Sequence, residues 1–229
     1  MPEGLAPKNL RALRTRGYES PRPDVQAHVP RDVRRILELG CSSGALGAAI
    51  KARQDAVVVG VEIDPDYAAD ARARLDRVVT ASVEDFLASG PPQEAPFDCL
   101  VCADVLEHLV DPTEVLRRCA ALLAPGGHVV ISVPNVLYWP QFRRVLKGDW
   151  PEDDEGIFDR THLRWFTPAS AVRFARSAGL TDVELHPQRW GMRRRYRLVS
   201  STLTRVGLDR FTPAQLIVTA RADPILSGA

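Results

Sequence analysis

The sequence predicts an α/β protein built on a doubly wound parallel sheet with helices on both faces. Two observations predict it. From about residue 31 onward, short β-branched runs alternate with segments of helical periodicity. The first run, "ILELG", breaks into a glycine-bearing turn and then a helix, which is the arrangement that places a ligand at the carboxyl end of a strand.

The predicted elements follow one another in a regular order. Strands are expected in "VRRILELG", "AVVVGVEI", "RVVTA", "FDCLVCADV" and, after the turn "APGG", in "HVVISVP". Helices are expected in "ALGAAIKARQ", "PDYAADARARLD", "VEDFLAS" and "DPTEVLRRCAALL". This βαβαβ succession is typical of a parallel sheet.

The last third changes character. "LYWPQFRRVLKG" predicts a short amphipathic helix, and "TPASAVRFARSAG" predicts a helix with Thr167 as N-cap, Pro168 in the first turn and Gly179 as the stop. "LTDVELHP" and "AQLIVTARA" predict two closing strands around an arginine-rich segment. No linker divides the chain, so we expect one domain over 1–229, with an N-terminal arm or lid at 1–20 and acceptor-side insertions at 136–166 and 189–212.

Composition and charge restrict the function classes. With 30 Lys and Arg against 29 Asp and Glu, the net charge of +1 argues against a nucleic-acid partner. No apolar run reaches the roughly 18–20 residues of a membrane span, and no signal-peptide pattern is seen, so a cytoplasmic protein is expected. Cys99 and Cys102 would point to opposite faces of a strand, and we expect the four cysteines to be buried apolar side chains and no metal to be bound.

The loop after the first strand, "ELGCSSG", indicates the kind of ligand. A dinucleotide-binding loop has its second glycine where the backbone approaches the pyrophosphate. Ser42 stands there, between Gly40 and Gly44, and its side chain would crowd a pyrophosphate. A ligand without phosphates fits better, provided that it brings a carboxylate to the helix N-terminus.

Two further strand ends complete that ligand. Glu62 follows the second strand, where a carboxylate can accept both hydroxyls of an unphosphorylated ribose. Glu84, after the third strand, can meet an adenine edge, and the fourth strand delivers "ADVLEHL". Ribose, adenine and a carboxylate without phosphate together describe S-adenosylmethionine (SAM).

These motifs, in this order, resemble the class I SAM-dependent methyltransferases from about residue 18 to 222. The resemblance implies a Rossmann-like sheet of seven strands with the last antiparallel, and SAM as cofactor with S-adenosylhomocysteine (SAH) as product. It implies a cofactor site that surrounds the methionyl part, the ribose, the adenine and the amino-acid end in turn. The residues are Glu38, Gly40, Cys41, Ser42 and Gly44, then Glu62 and Ile63, then Val83 and Glu84, then Ala103 and Asp104.

The acceptor side is expected in the insertion after the fifth strand. His162 in "DRTHLRWF" is the first candidate for a general base, with Asp159 to orient it and Arg160 and Arg164 to hold an anionic acceptor. The alternative is a structural clasp whose polar groups bind one another. A second catalytic candidate is His108, which can also cap or pack its turn.

Tyr138 and Trp139 are candidate walls of the acceptor pocket, or core packing of a short helix. "SVPNVLYWPQFRRVLKGDWP" and "GIFDRTHLRWFT" further resemble MetW-type proteins and methyltransferases of glycan and natural-product pathways. The sequence therefore predicts direct methyl transfer from SAM to a small-molecule acceptor. An oxygen of a glycan, lipid-linked or natural-product substrate is expected, with a homodimer as the assembly. The alternative is a MetW-like SAM-binding partner or regulatory protein in methionine metabolism.

Overall fold

The computed structural model describes residues 19–189 and 194–223. Within them, seven strands form one sheet in the order β3-β2-β1-β4-β5-β7-β6. The strands are β1 (Arg35–Leu39), β2 (Val57–Glu62), β3 (Arg77–Thr80), β4 (Phe97–Ala103), β5 (Leu123–Pro134), β6 (Leu180–Gln188) and β7 (Gln215–Ala222). The first five are parallel, and β7 runs antiparallel to both β5 and β6. The predicted fold class is confirmed.

Helices connect these strands and cover both faces of the sheet. They are α1 (Pro23–Gln26), α2 (Ala45–Arg53), α3 (Pro65–Arg72), α4 (Val83–Ala88), α5 (Pro112–Ala120), α6 (Trp139–Val145), α7 (Pro168–Ser177) and α8 (Arg194–Arg205). Two 3₁₀ turns lie at Leu106–His108 and Asp209–Phe211. The predicted start of α7 is confirmed: the Thr167 hydroxyl accepts from the backbone N–H of Ser170, which gives a capping box, and Gly179 follows with φ 84°.

The alternation of side chains along the central strands divides the core into two layers. Leu37 and Leu39 of β1 pack with α4, α5 and α7 on one face, whereas Ile36 packs with α1 and α2 on the other. Cys99 and Cys102 of β4 also lie on opposite faces, and all four cysteines are buried and free, as predicted.

Three sequence expectations are wrong or fall outside the described residues. The segment "APGG" is not a separate turn, because β5 already begins at Leu123 and passes through it. The helix predicted for "PDYAADARARLD" ends at Arg72, short of the last residues of that stretch. Most of the predicted arm, 1–18, and residues 190–193 of the second insertion lie outside the described residues.

Candidate active site

The loop between β1 and α2 has the backbone of a ligand cradle. Gly40, Ser42 and Gly44 have φ of 65°, 48° and 75°, a left-handed conformation that disfavours a side chain at each position. A Cβ on Gly40 would lie 3.0 Å from the side chain of Val105, and one on Gly44 would lie 3.1 Å from the backbone of Ala71. The loop therefore lies close to the end of β4 and to α3 at once.

Glu62, at the end of β2, fixes this loop. Its carboxylate accepts hydrogen bonds from the backbone N–H groups of Ser42, at 2.8 Å, and Asp64, at 2.9 Å. Burial raises the pKa of Glu62, and the two backbone donors oppose that rise. Glu62, which is predicted to bind the ribose, therefore also fixes the backbone of Ser42, the residue that stands where a dinucleotide-binding loop has a glycine.

Glu38 lies beneath the loop and is fully enclosed. Burial raises the pKa of Glu38 to about 8, opposed by a backbone hydrogen bond from Gly47. Among the described residues its Oε2 has no hydrogen-bond partner, and a Cβ on Gly47 would lie 2.6 Å from that oxygen. A buried oxygen of this kind, under a left-handed loop, is a polar group that a bound ligand can satisfy.

A charge network lies at the carboxyl ends of β4 and β5, where the amino-acid end of the cofactor is predicted. The Arg22 guanidinium binds Asp24 and Asp104, and its Nη2 donates to Ser132 Oγ at 2.8 Å. Burial works against the charge, but the two carboxylates outweigh it and raise the pKa of Arg22. Gln215 also donates to Asp104 and Ser132. Sequence reasoning missed Arg22, Ser132 and Gln215. The available signals for the last two were polar residues in the mainly apolar strands "HVVISVP" and "AQLIVTARA", and no signal marks Arg22.

The remaining cofactor candidates lie where the carboxyl ends of β2, β3 and β4 meet. Val83 is buried in the first turn of α4, which Ser82 caps, and Glu84 beside it is exposed. Ile63 is 70% exposed. Cys41 is buried under the loop, and Ala103 ends β4 just before Asp104, which has φ 56°. The structure brings these candidates to one edge of the sheet, and their contacts with cofactor stay a prediction.

The acceptor-side histidines meet at the 3₁₀ turn after β4. The rings of His108 and His162 lie 4.7 Å apart, edge to face, and His162 is 8% exposed. His162 Nδ1 lies 3.1 Å from the carbonyl oxygen of Ile157. Because a carbonyl only accepts, Nδ1 carries the proton and Nε2 is the basic atom.

Glu107 is a further residue that sequence reasoning missed. Both its carboxylate oxygens are buried with no hydrogen-bond partner in the described part of the chain, and burial, followed by the charge of Asp104, raises its pKa well above the ordinary value. Its ligand atoms and those of His108 and His162 lie within 4.8 Å of one another, a spacing that could hold a metal ion. The sequence signal was the adjacent pair in "LEHL", which does not reveal His162 as their neighbour.

The insertion segment "DRTHLRWF" also acts as the clasp that was its alternative interpretation. The backbone N–H groups of Leu163 and Arg164 donate to the carbonyl of Glu107, at 2.8 and 3.0 Å. Asp159 accepts from the Thr161 hydroxyl at 2.7 Å, and that hydroxyl lies 3.1 Å from His108 Nδ1. Asp159 is therefore linked through Thr161 to His108, whereas it was expected to orient His162.

The predicted substrate-binding residues lie in two segments, the "DRTHLRWF" stretch and the start of α6. Exposed Arg160 pairs with Asp154, and exposed Arg164 donates to the carbonyl of Val110 at 2.6 Å. Trp139, at the start of α6, donates from Nε1 to the Ser200 hydroxyl of α8 at 3.0 Å. Tyr138 is half-buried beside it. Each arginine thus has a partner other than the histidine pair, and the tryptophan joins two helices.

Comparison with known proteins shows the family to which the chain belongs. A family model described as a methyltransferase domain matches residues 10–185, and the chain belongs to this family. It is a SAM-dependent methyltransferase, and the predicted resemblance is confirmed.

The individual relatives that match the chain are named as O-methyltransferases. The ubiquinone biosynthesis O-methyltransferase of Xylella fastidiosa (strain M23) is 38% identical over 176 residues, which cover 73% of this chain and 70% of the relative. The protein of that name from Ralstonia nicotianae is 28% identical and covers 70% and 68%. With Xylella fastidiosa (strain 9a5c) the match, at 36% identity, spans only 46% of the relative. These matches support O-methylation, and they give no support to the MetW-like alternative.

Solved structures show the same fold at low identity. A SAM-dependent methyltransferase from Archaeoglobus fulgidus gives a TM-score of 0.62 at 17% identity and covers 94% of both chains. The plantazolicin methyltransferase BamL, solved with SAH, gives 0.61 at 14% identity over 94% of this chain and 89% of that one. In the described ranges, no helix has the length and apolarity needed to cross a membrane.

Proposed function

We propose that this protein methylates an oxygen of a small-molecule acceptor by direct transfer from SAM. The observation that carries the proposal is the packing of the turn after β4 against the cofactor loop: Val105 lies against Gly40, and Glu107 and His108 follow directly. The loop and the histidine pair therefore belong to one site. The relatives are named as O-methyltransferases of ubiquinone biosynthesis, which supports an oxygen acceptor.

The cofactor side supplies binding and orientation. When bound, SAM supplies an electrophilic methyl group on a sulfonium. The Ser42 loop presents backbone groups to its methionyl part, Glu62 accepts from the ribose hydroxyls, and Arg22 with Asp104 lies at the amino-acid end. Val83 and Glu84 flank the adenine. The protein accelerates the transfer mainly by aligning the two reactants and by excluding water.

The acceptor side supplies a base. His162 Nε2 removes the proton of the acceptor hydroxyl, while the carbonyl of Ile157 holds Nδ1–H and keeps the ring in the required tautomer. His108 packs edge-on against this ring, held through Thr161 by Asp159. Tyr138 and Trp139 wall the acceptor. We expect a glycan, lipid-linked or natural-product hydroxyl, a cytoplasmic location, a homodimer and no nucleic-acid partner.

The test is SAH release from SAM by the purified full chain with a panel of phenols, hydroxylated glycans and lipid-linked alcohols. Turnover with an oxygen acceptor, lost in His162→Gln while SAH binding persists, supports the proposal. Turnover only with thiol, amine or carbon acceptors contradicts the oxygen assignment.

A second measurement separates a base from a metal site at the same residues. The assay is repeated after exhaustive chelation with EDTA and after addition of Mg²⁺ or Zn²⁺. Activity that is unchanged by chelation supports His162 as a base. Activity that is abolished by chelation and restored by one cation assigns Glu107, His108 and His162 to a metal instead.

A further inference from the structure

Four polar side chains from four separate segments form a closed hydrogen-bond network at the carboxyl ends of β4 and β5. They are Arg22 before α1, Asp104 after β4, Ser132 in β5 and Gln215 at the start of β7. Two of them, Arg22 and Asp104, belong to the proposed cofactor site. The other two, Ser132 and Gln215, are buried and reach that site from strands that no cofactor motif marks.

The network uses the Ser132 hydroxyl and the Gln215 amide nitrogen. The Gln215 amide donates to Ser132 Oγ at 2.8 Å and to Asp104 Oδ1, and so both of its N–H bonds are committed. The Ser132 hydroxyl accepts from Arg22 at 2.8 Å and donates to Asp104 at 3.4 Å. The Ser132 hydroxyl and the Gln215 amide nitrogen therefore act together on Asp104.

The two residues that this network holds are conformationally strained. Asp104 has φ 56° and Arg22 has φ 47°, left-handed conformations that a residue other than glycine rarely adopts. Such a backbone persists only where surrounding contacts determine it. Ser132 and Gln215 supply contacts of that kind.

Strand pairing does not require these side chains. The backbone of Gln215 is in register with Pro134 on one side and Gln188 on the other, independently of its amide. Ser132 is fully buried in β5, where a hydroxyl is less favourable than a methyl group unless it is hydrogen-bonded. The polar atoms are thus directed at the site rather than at the sheet.

We propose that Ser132 and Gln215 are positioning residues that hold Asp104 and Arg22 in the geometry that the amino-acid end of SAM requires. The inference rests on the proposed function of that site. It assigns to β5 and β7 a role in cofactor affinity, exerted through two residues that lie beside the cofactor. Loss of either side chain leaves Arg22 paired with Asp24 and with Asp104 Oδ2, but it removes one of the two hydrogen bonds that fix Asp104 Oδ1.

The experiment is SAH titration by calorimetry with the full chain and with Gln215→Met and Ser132→Ala. We expect the Kd for SAH to rise about tenfold or more in each variant, while the stoichiometry stays near one and kcat at saturating SAM stays within twofold. A Kd within twofold of the wild type overturns the inference. So does a loss of stoichiometry or of Tm with an unchanged Kd, since that is the result of a purely structural role. Ser132→Ala, the smaller change, carries the test if Gln215→Met does not fold.

A matched control and a double variant complete the test. Thr219→Val removes one side-chain hydrogen bond from the same strand, to His186, and should leave the Kd unchanged. In an Asp104→Ala background, which lacks the accepting oxygen, Gln215→Met should change the Kd less than twofold, because its effect passes through Asp104. An undiminished effect there contradicts the proposal. Failure of the wild type to bind SAH refutes the proposed function instead, and so the two failures are distinguishable.

Discussion

The cofactor side and the acceptor side of this site are built in different ways. Most of the cofactor side consists of strand–loop–helix units in which a side chain acts close to its own strand end, as Glu62 does on Ser42 and Asp64. The contact of Arg22 with Asp104, 82 residues away, is an exception. The acceptor side is assembled from segments more than 50 residues apart, since Glu107 and His108 meet the insertion at 161–163 only in the fold.

This difference has a functional consequence. Local units tolerate sequence change elsewhere and give a cofactor site common to many methyltransferases. Because the clasp brings a long insertion onto one 3₁₀ turn rather than into the sheet, we expect acceptor choice to be set there. Variants on the two sides should therefore change different kinetic constants.

The largest expected effect is on the acceptor side. His162→Gln removes the proposed base while it keeps a polar side chain of similar size, and kcat should fall roughly 100- to 10,000-fold, the usual contribution of general-base catalysis. The Kd for SAH should stay within twofold. Steady-state kinetics and calorimetry on one preparation measure both. A fall in kcat of less than threefold would remove His162 from the mechanism.

On the cofactor side, Glu62→Ala should act on affinity instead. Loss of the ribose acceptor and of the bonds to the Ser42 loop should weaken SAH binding by roughly 1–3 kcal/mol, or about 5- to 150-fold in Kd. Asp66→Asn, an exposed carboxylate in the first turn of α3, is the control and should bind SAH normally. Unchanged affinity in Glu62→Ala would exclude the ribose role.

The difference between local contacts and contacts between distant segments also explains which features could be predicted from the sequence. Every strand and the capped start of α7 have local signals: β-branched runs, Thr167 before a proline, Gly179 after the last turn. The cofactor loop is local too, because Ser42 and Glu62 follow neighbouring parallel strands only 20 residues apart. The sequence therefore indicates both residues as parts of one cofactor site. Short-range chemistry determines all of these features.

The missed residues depend on long-range packing. Nothing around Arg22 indicates that it lies beside Asp104, 82 residues away, and a lone glutamine at the start of β7 has many ordinary explanations. The orientation of His162 by Ile157, and the link from Asp159 to His108 through Thr161, require the clasp to be folded. The sequence shows which residue types these segments contain, but not which of them contact one another in the fold.

The pH dependence of the unfolding free energy tests the burial of Glu38 beneath the cofactor loop. Because burial raises the folded-state pKa of Glu38 from 4.5 to about 8, the folded state keeps a proton that the unfolded state releases above about pH 4.5. The stability contribution of this group is complete below that pH and is lost as the pH rises towards 8. Relative to Glu38→Gln, the wild type should lose up to about 1.4 kcal/mol of unfolding free energy per pH unit in this window. Urea denaturation at pH 5, 6, 7 and 8 measures it, and parallel stability curves for the two proteins would contradict it.

The smallest effects should come from the surface arginines of the acceptor insertion. Arg160 pairs with Asp154 at a half-exposed site, and Arg164 donates to the carbonyl of Val110, so each guanidinium already has a protein partner other than His162. Arg160→Ala and Arg164→Ala should each cost less than about 1 kcal/mol of stability, as solvent-screened surface contacts do. Their KM for an anionic acceptor should stay within twofold. The informative comparison is between an anionic acceptor and its uncharged analogue. A KM that rises only for the anion would restore these arginines as acceptor ligands and would extend the acceptor site from the buried histidine pair to the rim of the insertion.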